Sequence, residues 1–334
     1  MLFRRIFPIF VNEGPFCLLL RDMKRRKFFK DILTHCYQRS ADDGMLFYSY
    51  SDHLVYFTLY CVLARKHGIR VLSLCQMPDH VHDSIRAKSK ADLGNFKREV
   101  NTFFSRQWNG RCSTKGHVLR GRYGWAQKFG DKKGRTNLIY VGNNPVERRL
   151  VGKAEEYRWN YLAYASSEHP FSKKLVIRDA RWPLQKAVKE VKAQFKAGKP
   201  LNYEQLDRLF KPLTRQERLQ LTDFIITTYN CIDYEASNRF FDTGEDMITS
   251  MHATTGSEYD INEVFIGKSD APYLQMTSFL LKSHLMEDIH DILSMTTDEK
   301  FDLFLRLRPQ TEALDEQIAR FLHMPLKKAS NGND

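Results

Sequence analysis

Two histidines separated by one residue follow an apolar run, and this feature constrains the fold more than any other in the chain. Residues 71–85 read Val-Leu-Ser-Leu-Cys-Gln-Met-Pro-Asp-His-Val-His-Asp-Ser-Ile, which places His80 and His82 in a segment of strand-like composition. Side chains at positions i and i+2 of a strand lie on the same face. Both imidazoles are therefore predicted to lie on one face, with Val81 turned the opposite way into the core.

This pair of histidines is half of a metal site. Neutral imidazole is the commonest metal ligand in proteins, and the pair needs one further oxygen or nitrogen donor to hold a divalent ion. The pair alone leaves a second interpretation equally open, in which two histidines at the end of a strand bind nothing.

A second informative segment, residues 138–146, reads Leu-Ile-Tyr-Val-Gly-Asn-Asn-Pro-Val. If it is helical, Tyr140 and Asn144 share a face and present a phenol beside an amide oxygen. Tyrosine hydroxyls can act as covalent nucleophiles. Two alternatives stay open: Tyr140 is a core aromatic residue, or Asn144 caps a new helix that starts at Pro145 and has Glu147 in a capping box.

Four motifs in this order resemble those of the REP-associated tyrosine transposases, a group of HUH single-strand DNA endonucleases with one catalytic tyrosine. They are Met77–His82, Gly116–Tyr123, Tyr140–Val146 and Tyr157–Tyr161, and the resemblance covers roughly residues 30–170. Together they are much more specific than any one motif.

The resemblance implies a role for each of the singled-out residues. His80 and His82 would bind Mg²⁺ or Mn²⁺, Tyr140 would attack a DNA phosphate, and Asn144 would complete the metal site. The sequence departs from the family at Asp79, where Asn is usual, and at Asp83, where an apolar residue is usual. A carboxylate beside the metal would either serve as a ligand or repel the phosphate.

The function that the resemblance implies is that of a metal-dependent single-strand DNA endonuclease and strand transferase. Tyr140 would form a 5′-phosphotyrosine intermediate at hairpin DNA of the REP type. The alternative is a domesticated protein that binds single-stranded or hairpin DNA with weak or no catalytic activity. Both a monomer and a homodimer are compatible with the sequence.

Basic residues are concentrated in the first part of the chain. Residues 1–182 hold 34 Lys and Arg against 16 Asp and Glu, a net charge of +18. Residues 183–334 hold 18 against 24, a net charge of −6. Such asymmetry indicates a nucleic acid partner for the basic part. The alternative is a basic surface that is merely solvated.

Cationic side chains bracket the histidine and tyrosine motifs and are interleaved with Trp108, Tyr123 and Trp125. In single-strand DNA binding, cations follow the backbone while aromatic rings stack on unpaired bases, and each stack contributes about 1–3 kcal/mol. The candidate phosphate contacts are Arg39, Arg86, Lys97, Arg120, Arg122, Lys128, Lys132, Lys133 and Arg135, with Lys88 and Arg98 beside them.

The order of predicted elements indicates an α+β fold. Strand patterns at residues 31–40, 69–76 and 80–87 alternate with helical patterns at residues 51–64 and 90–108. This order predicts a ferredoxin-like antiparallel sheet with helices on one face. The HUH nucleases that the chain resembles have a fold of this kind.

A mainly α-helical C-terminal domain is predicted to follow. The predicted divisions are an accessory or poorly ordered extension at 1–30, the catalytic domain at 31–170, a helical linker at 171–211 and the helical domain at 212–334. Helical patterns in this last part include residues 269–293 and 297–308. Asp315–Pro325 resembles the start of a helix-turn-helix, and the net negative charge favours a docking role over reading DNA.

The remaining features indicate a cytoplasmic protein without a membrane segment. The apolar stretches in the first 30 residues are too short and too interrupted for a signal peptide or a membrane span, and Met23 is an alternative start. Six cysteines show no paired spacing typical of zinc sites, so reduced thiols are expected.

Overall fold

The structure, a computed structural model, describes residues 27–252 and 266–325. Four strands form one antiparallel sheet in the order β2-β3-β1-β4. They are β1 (Thr34–Arg39), β2 (Arg70–Gln76), β3 (His80–Arg86) and β4 (Gly124–Gln127). The short strand β4 was not predicted, because its four residues carry no alternating pattern long enough to read.

Helices cover both faces of this sheet. They are α1 (Tyr50–Lys66), α2 (Lys90–Cys112) and α3 (Asp131–Glu147). Asp83 of β3 pairs with Lys97 of α2, whereas its neighbour Ser84 donates to Asn137 of α3 at 2.8 Å. Successive strand residues point to opposite faces, so α2 and α3 lie on opposite sides. The expectation of helices on one face is therefore wrong for α3.

The helix α1 starts earlier than the sequence pattern indicated. Ser49 is its N-cap, and the Asp52 carboxylate accepts from the Ser49 backbone N–H at 2.7 Å, which completes a capping box. The predicted start at Ser51 is thus inside the helix. A capping box of this kind satisfies two backbone donors that the first turn leaves open.

The helix α3 runs without a break through Asn144 and Pro145. The interpretation of Asn144 as the N-cap of a new helix is therefore wrong. Pro145 lacks the backbone N–H that would donate to residue 141, and α3 ends two residues later at Glu147. Tyr140 and Asn144 consequently lie one turn apart on one helix, as the interpretation of residues 138–146 as helical predicted.

A helical region follows the sheet and packs mainly against α1, with further contacts to α2, α3 and β2. They are α4 (Trp182–Lys196), α5 (Tyr203–Phe210), α6 (Arg215–Tyr229), α7 (Tyr234–Asn238), α8 (Gly244–His252), α9 (Ala271–Lys282), α10 (Thr297–Leu307) and α11 (Asp315–Phe321). The predicted fold class, a ferredoxin-like sheet with helices followed by a helical C-terminal region, is confirmed. The main hydrophobic core is continuous from the sheet layer into these helices.

Two predictions for the C-terminal region have different outcomes. The single helix predicted at 269–293 is broken, because the backbone at His284 has a φ of +54° and a separate 3₁₀ turn follows at Ile289–Ser294. The last part of the predicted helix-turn-helix, from residue 326 onward, lies outside the described residues, as does most of the predicted N-terminal extension. The domain boundaries stay predictions.

Within the two described ranges, none of the helices combines the length and the apolar character that crossing a membrane requires.

Candidate metal and tyrosine site

The strand register brings two residues of β1 beside the two histidines of β3. Tyr37 pairs with His82, and Arg39 pairs with His80. The ring centroids of His80 and His82 lie 4.9 Å apart, and the Tyr37 ring lies 5.0 Å from that of His82. The prediction that both imidazoles share one face of the sheet is confirmed.

His35 is a further member of this cluster. Its Nε2 atom lies 3.1 Å from Nδ1 of His82, within hydrogen-bonding distance. Neither His35 nor Tyr37 was singled out from the sequence. Because His35 and Tyr37 are two residues apart in β1, the sequence could have predicted that they share a face of the sheet. Only the register with β3 shows which side chains they contact.

Tyr140 of α3 faces the same histidines. Its ring centroid lies 5.3 Å from that of His82 and 5.6 Å from that of His35, both in edge-on geometry. The side chain is buried, with 6% of its surface exposed. The structure thus brings the predicted nucleophile directly against the predicted metal ligands.

Two contacts hold α3 at this distance from the sheet. The hydroxyl of Ser84 donates to Asn137 Oδ1 at 2.8 Å, about one turn before Tyr140. At Gly142 the helix approaches its neighbours so closely that a Cβ atom would lie 2.8 Å from Leu162 and 2.9 Å from Met251. The position of Tyr140 therefore depends on a small residue two places after it.

Asn144 lies buried one turn beyond Tyr140, and its side-chain amide donates to the Tyr140 carbonyl at 3.3 Å. Among residues 27–252 and 266–325, no three His, Cys, Asp or Glu side chains are grouped so that they could hold a metal ion. The ligand role of Asn144 stays a prediction.

Asp79 acts on the back of His80. Its Oδ1 atom lies 2.5 Å from His80 Nδ1, and Arg39 Nη2 lies 3.6 Å from its other oxygen. Burial would raise the pKa of Asp79, but His80, Arg39 and Arg320 outweigh it and hold the pKa well below its usual range. Asp79 is therefore ionised and fixes the orientation of His80.

Asp83 lies on the other face of the sheet, away from both histidines. It forms a buried ion pair with Lys97 of α2, and both side chains are almost fully inaccessible. The expectation that Asp83 would bind the metal or repel the phosphate is therefore wrong. The predicted phosphate contact of Lys97 is also corrected, because its ammonium group is enclosed and neutralised inside the protein.

Four other predicted phosphate contacts are engaged or enclosed within the protein. Arg39 is buried beside Asp79, Lys128 is buried, and the guanidinium of Arg135 lies 3.1 Å from Asp246 of α8. Arg86 is half-buried over the ring of Phe240, 5.6 Å from its centroid. These placements weaken their predicted contact with DNA.

The remaining predicted contacts lie at the surface. The exposed members are Arg120, Arg122, Lys132 and Lys133. Lys132 and Lys133 stand in the first turn of α3, whereas Arg120 and Arg122 stand in the segment before β4. Their contact with DNA stays a prediction.

A polar groove of about 510 Å³ lies between α2 and the segment before β4. Arg98 and Arg106 line it together with Asn101, Asn109 and His117, and no carboxylate of the described part of the chain is among its lining residues. Sequence reasoning had noted Arg98 but not Arg106, because nothing local indicates that α2 and residues 116–123 enclose a common groove.

Comparison with known proteins gives one family match. Residues 47–136 match the model of a protein family described as Transposase IS200 like, and this segment contains both histidines and ends before Tyr140. No match was found among the curated proteins.

Among the solved structures, the chain is similar to one described as a REP-associated tyrosine transposase bound to a REP hairpin. The two share 15% sequence identity with a TM-score of 0.37, over 42% of this chain and 83% of that chain. Similarity this low supports no conclusion about function. The family match is more informative: the segment that carries His80 and His82 is similar to the IS200-like transposases, which agrees with the resemblance found in the sequence.

Proposed function

We propose that this protein is a metal-dependent single-strand DNA endonuclease and strand transferase that acts as a transposase on hairpin DNA of the REP type. One observation carries the proposal: the ring of Tyr140 lies 5.3 Å from that of His82, beside His80. The match of residues 47–136 to the IS200-like transposases supports it.

The histidine pair fits a divalent metal ion. In each ring the Nδ1 atom is engaged, by Asp79 at His80 and by His35 at His82. If Nδ1–H is the donor in both contacts, the lone pair for coordination falls on Nε2 of both rings. Metal-ligating histidines commonly have such a partner on the second nitrogen, which sets the tautomer and the ring orientation.

Mg²⁺ or Mn²⁺, when bound, would polarise the scissile phosphate and stabilise the charge that develops on its oxygens. His80 and His82 would hold the ion, with Asn144 as the proposed third ligand. The ionised Asp79 keeps His80 in the tautomer that coordination needs, and His35 does the same for His82.

Tyr140 supplies the nucleophile. Its phenolic oxygen gives up its proton to water and attacks the phosphorus, the bond to the 3′ oxygen breaks, and that oxygen takes up a proton from water and leaves as a 3′-hydroxyl. The product is a 5′-phosphotyrosine bond, which keeps the energy of the phosphodiester without ATP. Attack of a 3′-hydroxyl on this bond reverses the step and joins a new pair of strands.

Exposed cations on both faces of the sheet support single-stranded DNA as the substrate. The groove beside α2 carries Arg98 and Arg106, and the exposed Lys132 and Lys133 stand at the start of the helix that bears Tyr140. Cations of this kind bind the phosphate backbone without reading the bases. The choice of a hairpin of the REP type rests on the resemblance of the four sequence motifs.

The rival function is a DNA-binding protein with weak or no catalytic activity. The main reason to consider this function was the presence of two aspartates, Asp79 and Asp83, near the histidines. Asp83 lies on the opposite face of the sheet, and Asp79 contacts the back of His80. Neither carboxylate therefore argues against metal binding, which favours the enzyme over this rival.

The decisive experiment incubates the protein with labelled single-stranded hairpin DNA from the flanks of its own gene, with Mn²⁺ or with EDTA. We expect a protein–DNA adduct that survives denaturing electrophoresis, forms only with Mn²⁺, and is lost in Tyr140→Phe and in His80→Ala. The matched controls are Tyr229→Phe and His67→Ala, which change the same residue types outside the site. Retarded DNA without an adduct in any metal would favour the rival.

A further inference from the structure

A second groove lies between the start of α1 and the helices α5 and α6, and we call it the α1–α6 groove. Its volume is about 630 Å³. It is lined by residues drawn from 49–54, in α1 and its cap, and from 207–222, among them Tyr50, Asp207, Lys211, Arg215 and Arg218. Because α1 and α3 pack on opposite faces of the sheet, this groove is separate from the Tyr140 site.

Three cations dominate the charge of the α1–α6 groove. Lys211, Arg215 and Arg218 are all exposed. The one carboxylate among the described lining residues, Asp207, accepts from Arg111 Nη1 at 2.8 Å and is thereby neutralised. The groove therefore attracts anions, although it belongs to the half of the chain with a net negative charge.

An aromatic ring stands at the rim of this groove. Tyr50 is 50% exposed, and its ring lies edge-on at 5.3 Å from the buried ring of Trp159. The guanidinium of Arg158 lies 5.5 Å from the Tyr50 ring and is itself fixed by a buried ion pair with Asp223. These two neighbours hold an exposed aromatic surface in a defined orientation.

The attraction for anions comes from side chains and does not depend on the end of α1. The first turn of that helix is already capped, since Asp52 Oδ2 accepts from the backbone N–H groups of Tyr48 at 2.8 Å and Ser49 at 2.7 Å. Lys211, Arg215 and Arg218 carry long flexible stems and can follow a chain of phosphates along the rim.

We propose that the α1–α6 groove binds a short stretch of single-stranded DNA, with a base stacked on Tyr50 and the flanking phosphates beside Lys211, Arg215 and Arg218. Cations that follow the backbone and an aromatic ring that stacks on an unpaired base are the combination typical of single-strand sites. The volume falls within the range of about 300–1,000 Å³ found for small-ligand sites, which suits one or two nucleotides.

This assignment gives the C-terminal helices a role in substrate binding, since Lys211 follows the last residue of α5 and Arg215 and Arg218 lie in α6. It rests on the proposed function only in taking DNA as the substrate, and it does not require cleavage. The strand held here would be an unpaired segment on the opposite side of the sheet from Tyr140.

The test measures the binding of fluorescein-labelled oligothymidylates of 6, 12 and 24 nucleotides by fluorescence anisotropy, at several salt concentrations. The protein carries Tyr140→Phe so that binding is measured without cleavage. The test variant adds Lys211→Glu and Arg215→Glu. Its matched control adds Lys189→Glu and Lys196→Glu, two exposed lysines of α4, and so has the same net charge.

We expect the test variant to bind the 24-mer at least tenfold more weakly than the control. Loss of two phosphate contacts should reduce the slope of log affinity against log salt by about 1.4, at about 0.7 for each contact with a single strand. Tyr50→Ala should weaken binding by about 5- to 150-fold, from the free energy of one stacked base, while Tyr50→Phe should retain it.

Three results would overturn the proposal. One is equal affinity and equal salt slope in the test variant and its control. Another is unchanged binding in Tyr50→Ala. The third is displacement of the labelled 24-mer by thymidine monophosphate at the same concentration at which unlabelled 24-mer displaces it. That result would make the groove a site for free nucleotides. Adduct formation by the protein with Tyr140 intact tests the proposed function separately, since the groove variants keep the whole Tyr140 site.

Discussion

His290 of the C-terminal region and Asp52 of α1 form a buried ion pair, with the imidazole Nε2 donating to the carboxylate Oδ1 at 2.8 Å. The hydroxyl of Tyr203 donates to the same oxygen at 2.8 Å, and Asp288 Oδ1 lies 2.8 Å from the other nitrogen of His290. A charged imidazole with both nitrogens paired thus joins the helical region to the sheet domain.

This pair makes stability depend on pH. Burial alone would lower the pKa of His290, but Asp52 and Asp288 raise it from 6.5 to about 9. Because this pKa is raised, the protonated imidazole stabilises the fold fully at pH values below the unfolded pKa of about 6.5. This stabilisation is lost as the pH rises through the folded pKa of about 9. The shift corresponds to roughly 3 kcal/mol at most, since one pKa unit is worth about 1.4 kcal/mol.

We therefore expect His290→Gln to lower the free energy of unfolding by about 2–3 kcal/mol at pH 6 and by much less at pH 10. Urea denaturation of both proteins at the two pH values measures the difference. His284→Gln is the matched control, since His284 is exposed. An equal loss at pH 6 and pH 10 would show that the charge of His290 is not the cause.

The buried pair of Lys97 and Asp83 leads to a second prediction, on stability rather than DNA binding. Lys97→Ala leaves Asp83 as an uncompensated charge in the core and should cost about 3–5 kcal/mol in the free energy of unfolding. The double variant Lys97→Met with Asp83→Leu should recover most of this loss, because burying apolar side chains avoids the desolvation penalty.

Urea denaturation measures the effect, and Lys133→Ala is its control. Lys133 is exposed, so its removal should change the free energy of unfolding by less than about 0.5 kcal/mol. If Lys97→Ala were as stable as the unaltered protein but bound DNA more weakly, the result would support the interpretation of Lys97 as a phosphate contact.

The close approach at Gly142 predicts opposite effects for two glycine substitutions. Gly142→Ala should destabilise the protein by about 1–3 kcal/mol, because the new methyl group overlaps Leu162 and Met251. Gly110→Ala in α2 should stabilise it by up to about 1 kcal/mol, since no atom lies within 4 Å of the added group and alanine favours a helix.

Thermal denaturation of the two variants measures these changes, and adduct formation on hairpin DNA measures the position of Tyr140. We expect Gly142→Ala to form the adduct more slowly even at temperatures where it is folded, because α3 must move relative to His82. Equal rates in both glycine variants would mean that α3 tolerates the extra methyl group without displacing Tyr140.

The sequence predicted those parts of the site that depend on local geometry. The shared face of His80 and His82 follows from the two-residue period of a strand, and the spacing of Tyr140 and Asn144 follows from one helical turn. The two segments could be placed together only through the resemblance to a known family, because periodicity contains no information on which helix packs on which strand.

The residues that were missed or misplaced depend on contacts distant in sequence. His35 meets His82 because β1 pairs with β3 in one register, which neither strand specifies alone. Lysine is usually found at the surface, yet Lys97 is buried because it forms an ion pair with Asp83, 14 positions earlier. Only the tertiary structure shows that one basic residue is neutralised and another remains at the surface.

The contact between His35 and His82 gives the last prediction, which rests on the proposed function. His35→Phe removes the acceptor that holds the Nδ1–H tautomer of His82, while it keeps a ring of similar size against Tyr140. Losing such a partner commonly lowers metal affinity by about 10- to 100-fold. We expect the Mn²⁺ concentration at half-maximal adduct formation to rise by this factor, with the rate at saturating Mn²⁺ much less affected. His67→Phe is the matched control, since it makes the same substitution at the C-cap of α1, outside the site. An unchanged Mn²⁺ midpoint in His35→Phe would mean that His35 packs against Tyr140 without orienting His82.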